Sequence, residues 1–369
     1  MKRTFFIVLA AVVVLVGMFI WLRNRRTDGT VSVQTGSLLI AKISTVRKSG
    51  GRVDWSAPNK PVAFDKEVGK NHYEVFTMNP DGSAEQCVTC NNISLAHLSN
   101  GNPAWNPNGK WIAFQMVKAT AATGASNTPG IGVQSELWII TPDGTKAVKL
   151  VSTDNSPDVG ILHPHFSPDG TKLAWSQMYQ RSNIFGKNQE YGYWQLKVAD
   201  FVDGTTPYVT NIKSYAPGGS AFYENHGLSP DNQWLYFTSN MRAKQQHKGL
   251  YADNDIYRLN LNTDSLEQLT TIGYNEHAEI SPDGTTIVWM SSRDIKGGGT
   301  DYWLMNTDGS NKRRLTYFNT PGHSEYSGAR VVAADSAWSP DGSKIMVYLQ
   351  TNLFTQVGMI DLITLSSHY

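Results

Sequence analysis

The sequence predicts an all-β protein, a six-bladed β-propeller of four-stranded blades, preceded by one N-terminal transmembrane helix. Three observations carry this reading. A turn motif recurs six times, a second strand-and-turn element follows each copy, and one uncharged run lies near the amino terminus.

The motif is Ser281-Pro282-Asp283-Gly284, followed by the apolar run 287–290. It returns as Asn106-Pro107-Asn108-Gly109, Ser167-Pro168-Asp169-Gly170, Ser229-Pro230-Asp231-Asn232 and Ser339-Pro340-Asp341-Gly342. A worn sixth copy, Ser56-Ala57-Pro58-Asn59, is fixed by Trp55 before it and Val62-Ala63-Phe64 after it. Counted at the second position, the copies fall 50, 61, 62, 52 and 58 residues apart. Self-similarity at such a period marks a repeat architecture. Proline presets φ at the first central position of a type I turn, and the fourth residue then turns left-handed in a three-residue hairpin loop. Only Gly or Asn stands there, the residues that best tolerate positive φ. Chance surface turns would not repeat six times with a large apolar residue just before each.

A second element follows each turn, over 74–82, 136–144, 194–204, 255–264, 301–309 and 356–364. Most read as a strand ending in an Asp-Gly-type turn, and a short fourth strand comes next, as in Arg313-Arg314-Leu315-Thr316. Each repeat is therefore four antiparallel strands, and six such units make a propeller. The sixth repeat lacks a fourth strand, whereas the run 38–43 is an orphan at the other end. It is expected to complete blade 6, so that both termini close the ring and no broad edge is left open.

In chain order, a tail of residues 1–4 precedes the run 5–22, eighteen residues without a charge. That length suffices for one membrane-spanning helix. A cleaved signal peptide is the rival, but no small-x-small cleavage site follows, so the run reads as an uncleaved signal-anchor. Flanking charges nearly cancel, while the positive tip favours an extracytoplasmic domain, periplasmic or extracellular. Residues 23–36 read as a short tether and 37–369 as one propeller domain. A net charge of +1 and no basic run beyond Arg26 argue against nucleic acid as a partner. Cys87 and Cys90 leave three readings open: a local disulfide, two unpaired strand residues, or half a metal site.

The segments Phe166-Ser167-Pro168-Asp169-Gly170-Thr171-Lys172-Leu173-Ala174-Trp175 and 301–316 resemble the repeats of TolB-like six-bladed propellers. The resemblance covers about residues 37–369 and implies the fold. TolB proteins carry an α/β domain before the propeller, and here a membrane segment and tether stand in that place. The Tol-Pal role is therefore not carried over.

Topology indicates where a site belongs. The first strand of each blade runs into the Ser-Pro-Asp-Gly turn, so the long insertions 119–135, 180–192, 241–254, 294–300 and 321–334 gather on the opposite face. Function concentrates on such loops. Three residues before each Trp55-equivalent stand Arg52, Asn102, His163, Asn225, His277 and Asp335. One residue before it stand Asp54, Ala104, His165, Gly227, Glu279 and Ala337. Period-two alternation puts both sets on the channel side. His226 lies among them, and His323 sits in a connection on the same face.

His163-Pro164-His165 and His277-Ala278-Glu279 have ligand-x-ligand spacing, so His163, His165, His277 and Glu279 form a candidate set for Mn, Zn or Fe. A metal-bound propeller site occurs in oligogalacturonate lyases, to which this histidine pattern is faintly similar. The competing reading is a solvated polar channel without a metal. Gly322-His323-Ser324-Glu325-Tyr326 begins like a hydrolase elbow, but Tyr326 stands where that turn requires Gly. No α/β catalytic domain follows the repeats, so a serine peptidase is not expected. The expected function is non-catalytic binding of an envelope protein, peptide or glycan on the loop-rich face. The alternative is a metal-dependent lyase or hydrolase at the channel mouth.

Overall fold

The computed structural model describes residues 40–121, 128–156, 158–180, 192–242, 254–296, 298–351 and 358–366. They form six four-stranded antiparallel sheets, the blades of a propeller. The innermost strands are Val53–Asp54, Asn100–Trp105, Gly160–Phe166, Tyr223–Leu228, Asn275–Ile280 and Val332–Trp338. The anchor 5–22 lies outside the described residues. Among those described, no helix is long and apolar enough to cross a membrane.

The repeated turn has the expected chemistry. In blade 3 the Gly170 N–H donates to Ser167 O at 2.8 Å, and the Thr171 N–H to Asp169 Oδ1 at 3.0 Å. The Ser167 hydroxyl donates to Asp169 Oδ1 at 2.6 Å and accepts from Lys172 N–H at 2.9 Å. The fourth positions Asn59, Gly109, Gly170, Asn232, Gly284 and Gly342 all carry φ between 57° and 72°. These aspartates serve the turns. Replacing Gly170 by Val puts a β-branched side chain at φ 71°, with its Cβ 2.9 Å from Asn106 Oδ1. Denaturant unfolding should register a loss on the order of 1–3 kcal/mol; an unchanged midpoint would mean that the turn does not need its left-handed residue.

Blades are joined by large side chains that fit between sheets. Trp105, Trp175 and Trp289 are all but fully buried. The Trp105 indole donates to Pro61 O of blade 1 at 3.0 Å, and that of Trp338 to Glu279 O of blade 5 at 3.1 Å. Each core cluster draws on two neighbouring blades, as where Phe64 of blade 1 packs with Ile360 of blade 6.

Blade 6 takes its outermost strand from the amino-terminal side of the chain. Ile40–Arg47 pairs antiparallel with Gly358–Leu365; this strand contains 40–43 of the expected 38–43 and runs on to 47, while 38 and 39 lie outside the described residues. Ile40 stands opposite Leu365, whose N–H donates to Ser343 O in the blade 6 turn at 3.0 Å. The chain therefore enters the propeller on the turn-rich face. Cys87 and Cys90 form a disulfide in the outer edge of blade 1, which selects one of the three open readings.

Candidate metal centre

The channel walls depart from regular β geometry. In blades 2 to 6 the inner strand carries one residue more than its partner, between Gly101 and Ala104, Leu162 and His165, Asn225 and Leu228, Glu276 and Glu279, and Ala333 and Ser336. Such bulges re-aim side chains and are concentrated beside functional sites. Asn102, His163 and His277 take left-handed φ values of 50°, 48° and 50°. Each such residue costs on the order of 1–3 kcal/mol and persists only where its surroundings fix it. For Asn102 the second strand of the preceding blade supplies part of that support, its N–H donating to Asp65 Oδ2 at 3.0 Å. In blade 4 the Asn225 N–H likewise donates to Ser176 Oγ of blade 3 at 2.8 Å.

Where the bulged strands converge, His163, Glu224 and His277 each place one ligand atom within 4.8 Å of the others. His163 Nε2 lies 3.3 Å and His277 Nδ1 3.7 Å from Glu224 Oε1. The two imidazoles are stacked, with centroids 5.6 Å apart. Asp335 Oδ1 approaches His277 Nδ1 at 3.5 Å and His163 Nε2 at 3.8 Å. His163 Nε2, His277 Nδ1 and Glu224 Oε2 are buried without a hydrogen-bond partner. A buried polar atom left unpaired is costly, and the two imidazole nitrogens, converging with the Glu224 carboxylate from separate blades, match the two-histidine, one-carboxylate donor set of Zn, Mn or non-haem Fe.

The neighbouring charge points the same way. The wall of the axial chamber carries Asp54, Glu279 and Asp335 against the single guanidinium of Arg52, and Arg52 is already engaged by Asp65, 3.4 Å away. The chamber measures about 30 Å³, room for an ion or an ordered water.

Burial, with the adjacent Glu276 and Asp335, pushes the Glu224 carboxyl well above the usual carboxylate range. Burial, reinforced by neighbouring histidines, holds His163 and His226 well below the usual imidazole range, so both are neutral and able to act as donors of a lone pair. Burial also opposes charge on His165, but the Glu279 carboxylate outweighs it and raises that histidine.

The structure brings together two of the four residues expected to share an ion. His163 and His277 meet, whereas His165 and Glu279 pair with each other at 3.1 Å one tier nearer the turns. Asn225 supports the site from behind, its Nδ2 donating to His163 O at 2.8 Å. Asn102 Nδ2 is bound to Gln115 Oε1 at 2.7 Å, and His226 Nε2 to Thr238 Oγ1 at 2.7 Å. His323 stands apart, stacked on Tyr317 with centroids 4.5 Å apart and accepting from the Glu325 N–H at 3.3 Å.

Glu224 was not a sequence candidate. Strict period two sends it to the face opposite Asn225, and only the bulge returns it to the cluster. A second missed set lies on the second strands, where Asp65, Gln115, Ser176 and Thr238 occupy one position. The legible signal was a polar residue at equal spacing from the turn in blades 1 to 4, where blades 5 and 6 carry Met290 and Tyr348.

No family model matches the chain. Among curated proteins, a dipeptidyl-peptidase 5 from Porphyromonas endodontalis is 23% identical over an alignment of 327 residues that covers 79% of this chain and 44% of that protein. The chain thus spans less than half of that relative's length. TolB from Acinetobacter baumannii superposes with a TM-score of 0.51 at 15% identity, covering 86% of this chain and 63% of that one. A putative TolB from Agrobacterium tumefaciens gives 0.52 at 16% identity, covering 90% and 100%. The expected TolB-like propeller is therefore borne out as a fold.

Proposed function

We propose that this chain is a membrane-anchored, extracytoplasmic propeller that holds a divalent cation on His163, Glu224 and His277 and binds its ligand over that centre, on the loop-rich face. The observation that carries the reading is the convergence of His163, Glu224 and His277 from three blades, with His163 Nε2 and His277 Nδ1 buried and unpartnered and both facing Glu224 Oε1. When bound, the cation (Mn, Zn or Fe) supplies a Lewis-acidic position for an oxygen of the ligand. Asp335 stands beside both imidazoles and is the residue best placed to hold a proton or a polar group of the ligand there. The ligand is an envelope protein, peptide or glycan, and the dipeptidyl-peptidase relative favours a peptide among these.

The anchor is assigned to residues 5–22. The Cys87–Cys90 disulfide suits an oxidising compartment. Because Ile40 lies on the turn-rich face, a tether arriving there directs the metal centre away from the bilayer. A second reading, a metal-dependent hydrolase acting on peptides, draws on the same relative. It is favoured if peptide cleavage accompanies metal loading.

The test is metal content after purification without chelator. About one equivalent of Zn, Mn or Fe per chain is expected, and His163→Ala with His277→Ala should remove it while leaving a cooperative thermal transition. A metal-free parent that also fails to take up any of the three ions on dialysis would sink the reading.

A further inference from the structure

In a regular strand neighbouring residues point to opposite faces, so Glu276 and His277 are not expected to meet. They do, because His277 is the bulged, left-handed residue of its strand. Its Nε2 lies 3.6 Å from Glu276 Oε2, while its Nδ1 faces Glu224 Oε1 at 3.7 Å and Asp335 Oδ1 at 3.5 Å. One imidazole therefore joins the donor cluster through one nitrogen and a second carboxylate through the other. That second carboxylate is itself held in place. The Tyr274 hydroxyl donates to Glu276 Oε2, and Asn254 Nδ2 donates to Oε1 at 3.0 Å.

We infer that Glu276 is the positioning residue of the metal centre, taking the Nε2–H of His277 and leaving the Nδ1 lone pair aimed at the cation. The inference rests on the metal reading above. A ligating imidazole that donates its other N–H to a carboxylate is fixed in both tautomer and ring orientation. At 3.6 Å the two atoms stand just beyond hydrogen-bond distance.

Comparison with blade 4 separates the roles of two equivalent residues. Glu224 and Glu276 both stand four residues before the residue equivalent to Trp55. Glu224 is followed by Asn225, and its Oε1 faces His163 Nε2 and His277 Nδ1, the place of a ligand. Glu276 is followed by His277, and both of its oxygens already accept hydrogen bonds. It is committed to orientation. The same repeat position thus supplies a ligand in one blade and the support of a ligand in the next.

The test is equilibrium binding of Zn²⁺, and of Co²⁺ as a spectroscopic probe, to the intact parent and to Glu276→Gln. The isosteric change should weaken both ions about 10–100-fold and shift the visible bands of bound Co²⁺, with the metal-free protein still unfolding in one cooperative transition. Glu276→Asp should recover part of the affinity. Should Glu276→Gln fail to fold, Asn254→Ala loosens only the anchoring of Glu276, and a smaller weakening in the same direction is expected. Parent-like affinity and an unaltered cobalt spectrum in these variants would overturn the inference while leaving the metal reading standing. A parent that binds neither ion would overturn both.

Discussion

A chain lacking residues 40–47 is expected not to hold a stable propeller. Those residues supply the outer strand of blade 6 and pair along Gly358–Leu365. Their removal exposes a whole strand edge and forfeits the pairing hydrogen bonds, each worth a net ~0.5–1.5 kcal/mol. Burial also goes, because Ile43 packs on the core of blades 5 and 6 and Val46 on that of blades 6 and 1. The Arg47 guanidinium, 5.5 Å over the Phe64 ring and paired with Glu85, ties the strand to blade 1. Together these losses approach the ~5–15 kcal/mol that hold a whole domain. Circular dichroism on heating should show loss of the cooperative transition, or aggregation. A truncated chain that melts at the parent temperature would mean that the ring closes without this strand.

The second large effect separates stability from binding at one residue. Glu224→Gln should weaken Zn²⁺ binding roughly 100-fold or more, beyond the 10–100-fold typical of an outer-shell change. The metal-free variant should nonetheless be more stable than the parent at pH 8, by about 1–3 kcal/mol, since a buried carboxylate crowded by Glu276 and Asp335 is removed. The pH dependence has a definite sign. Glu224 binds its proton more tightly in the folded state than its ordinary value of 4.5 implies. The stability this contributes is complete below that value and is lost as pH rises through the raised folded one. His163 and His226, both depressed, contribute stability above their ordinary 6.5 that is lost as pH falls. Parent and variant share the histidines, so their difference reports Glu224 together with the groups coupled to it. Urea unfolding at a series of pH values should show the advantage of Glu224→Gln growing above pH 4.5. A constant difference would mean that Glu224 is not buried as a strained acid.

Much of the scaffold could be read from residues whose conformation is local. A Pro-Asp-Gly turn dictates its own hydrogen bonds and left-handed residue wherever it occurs, so six copies announced six blades. Ring closure followed from a missing strand at one end and a spare one at the other. The site was only half legible. His163 and His277 stood out as polar residues at a repeated position, yet which of their neighbours joined them depended on a one-residue bulge. Alternation breaks at that bulge, and with it the assignment of Glu224, Glu276, His165 and Glu279. His323 drew notice by residue type alone, and its stacking on Tyr317 depends on how a connection folds back. Whether Cys87 and Cys90 join was likewise a matter of approach in space.

The account turns on one point in the channel, and anomalous diffraction from crystals grown with Zn²⁺ or Mn²⁺ locates that point directly. The expected result is a single strong peak within about 2.0–2.3 Å of His163 Nε2, His277 Nδ1 and a Glu224 carboxylate oxygen. A peak between His165 and Glu279 instead, or no axial peak at saturating metal, would contradict it.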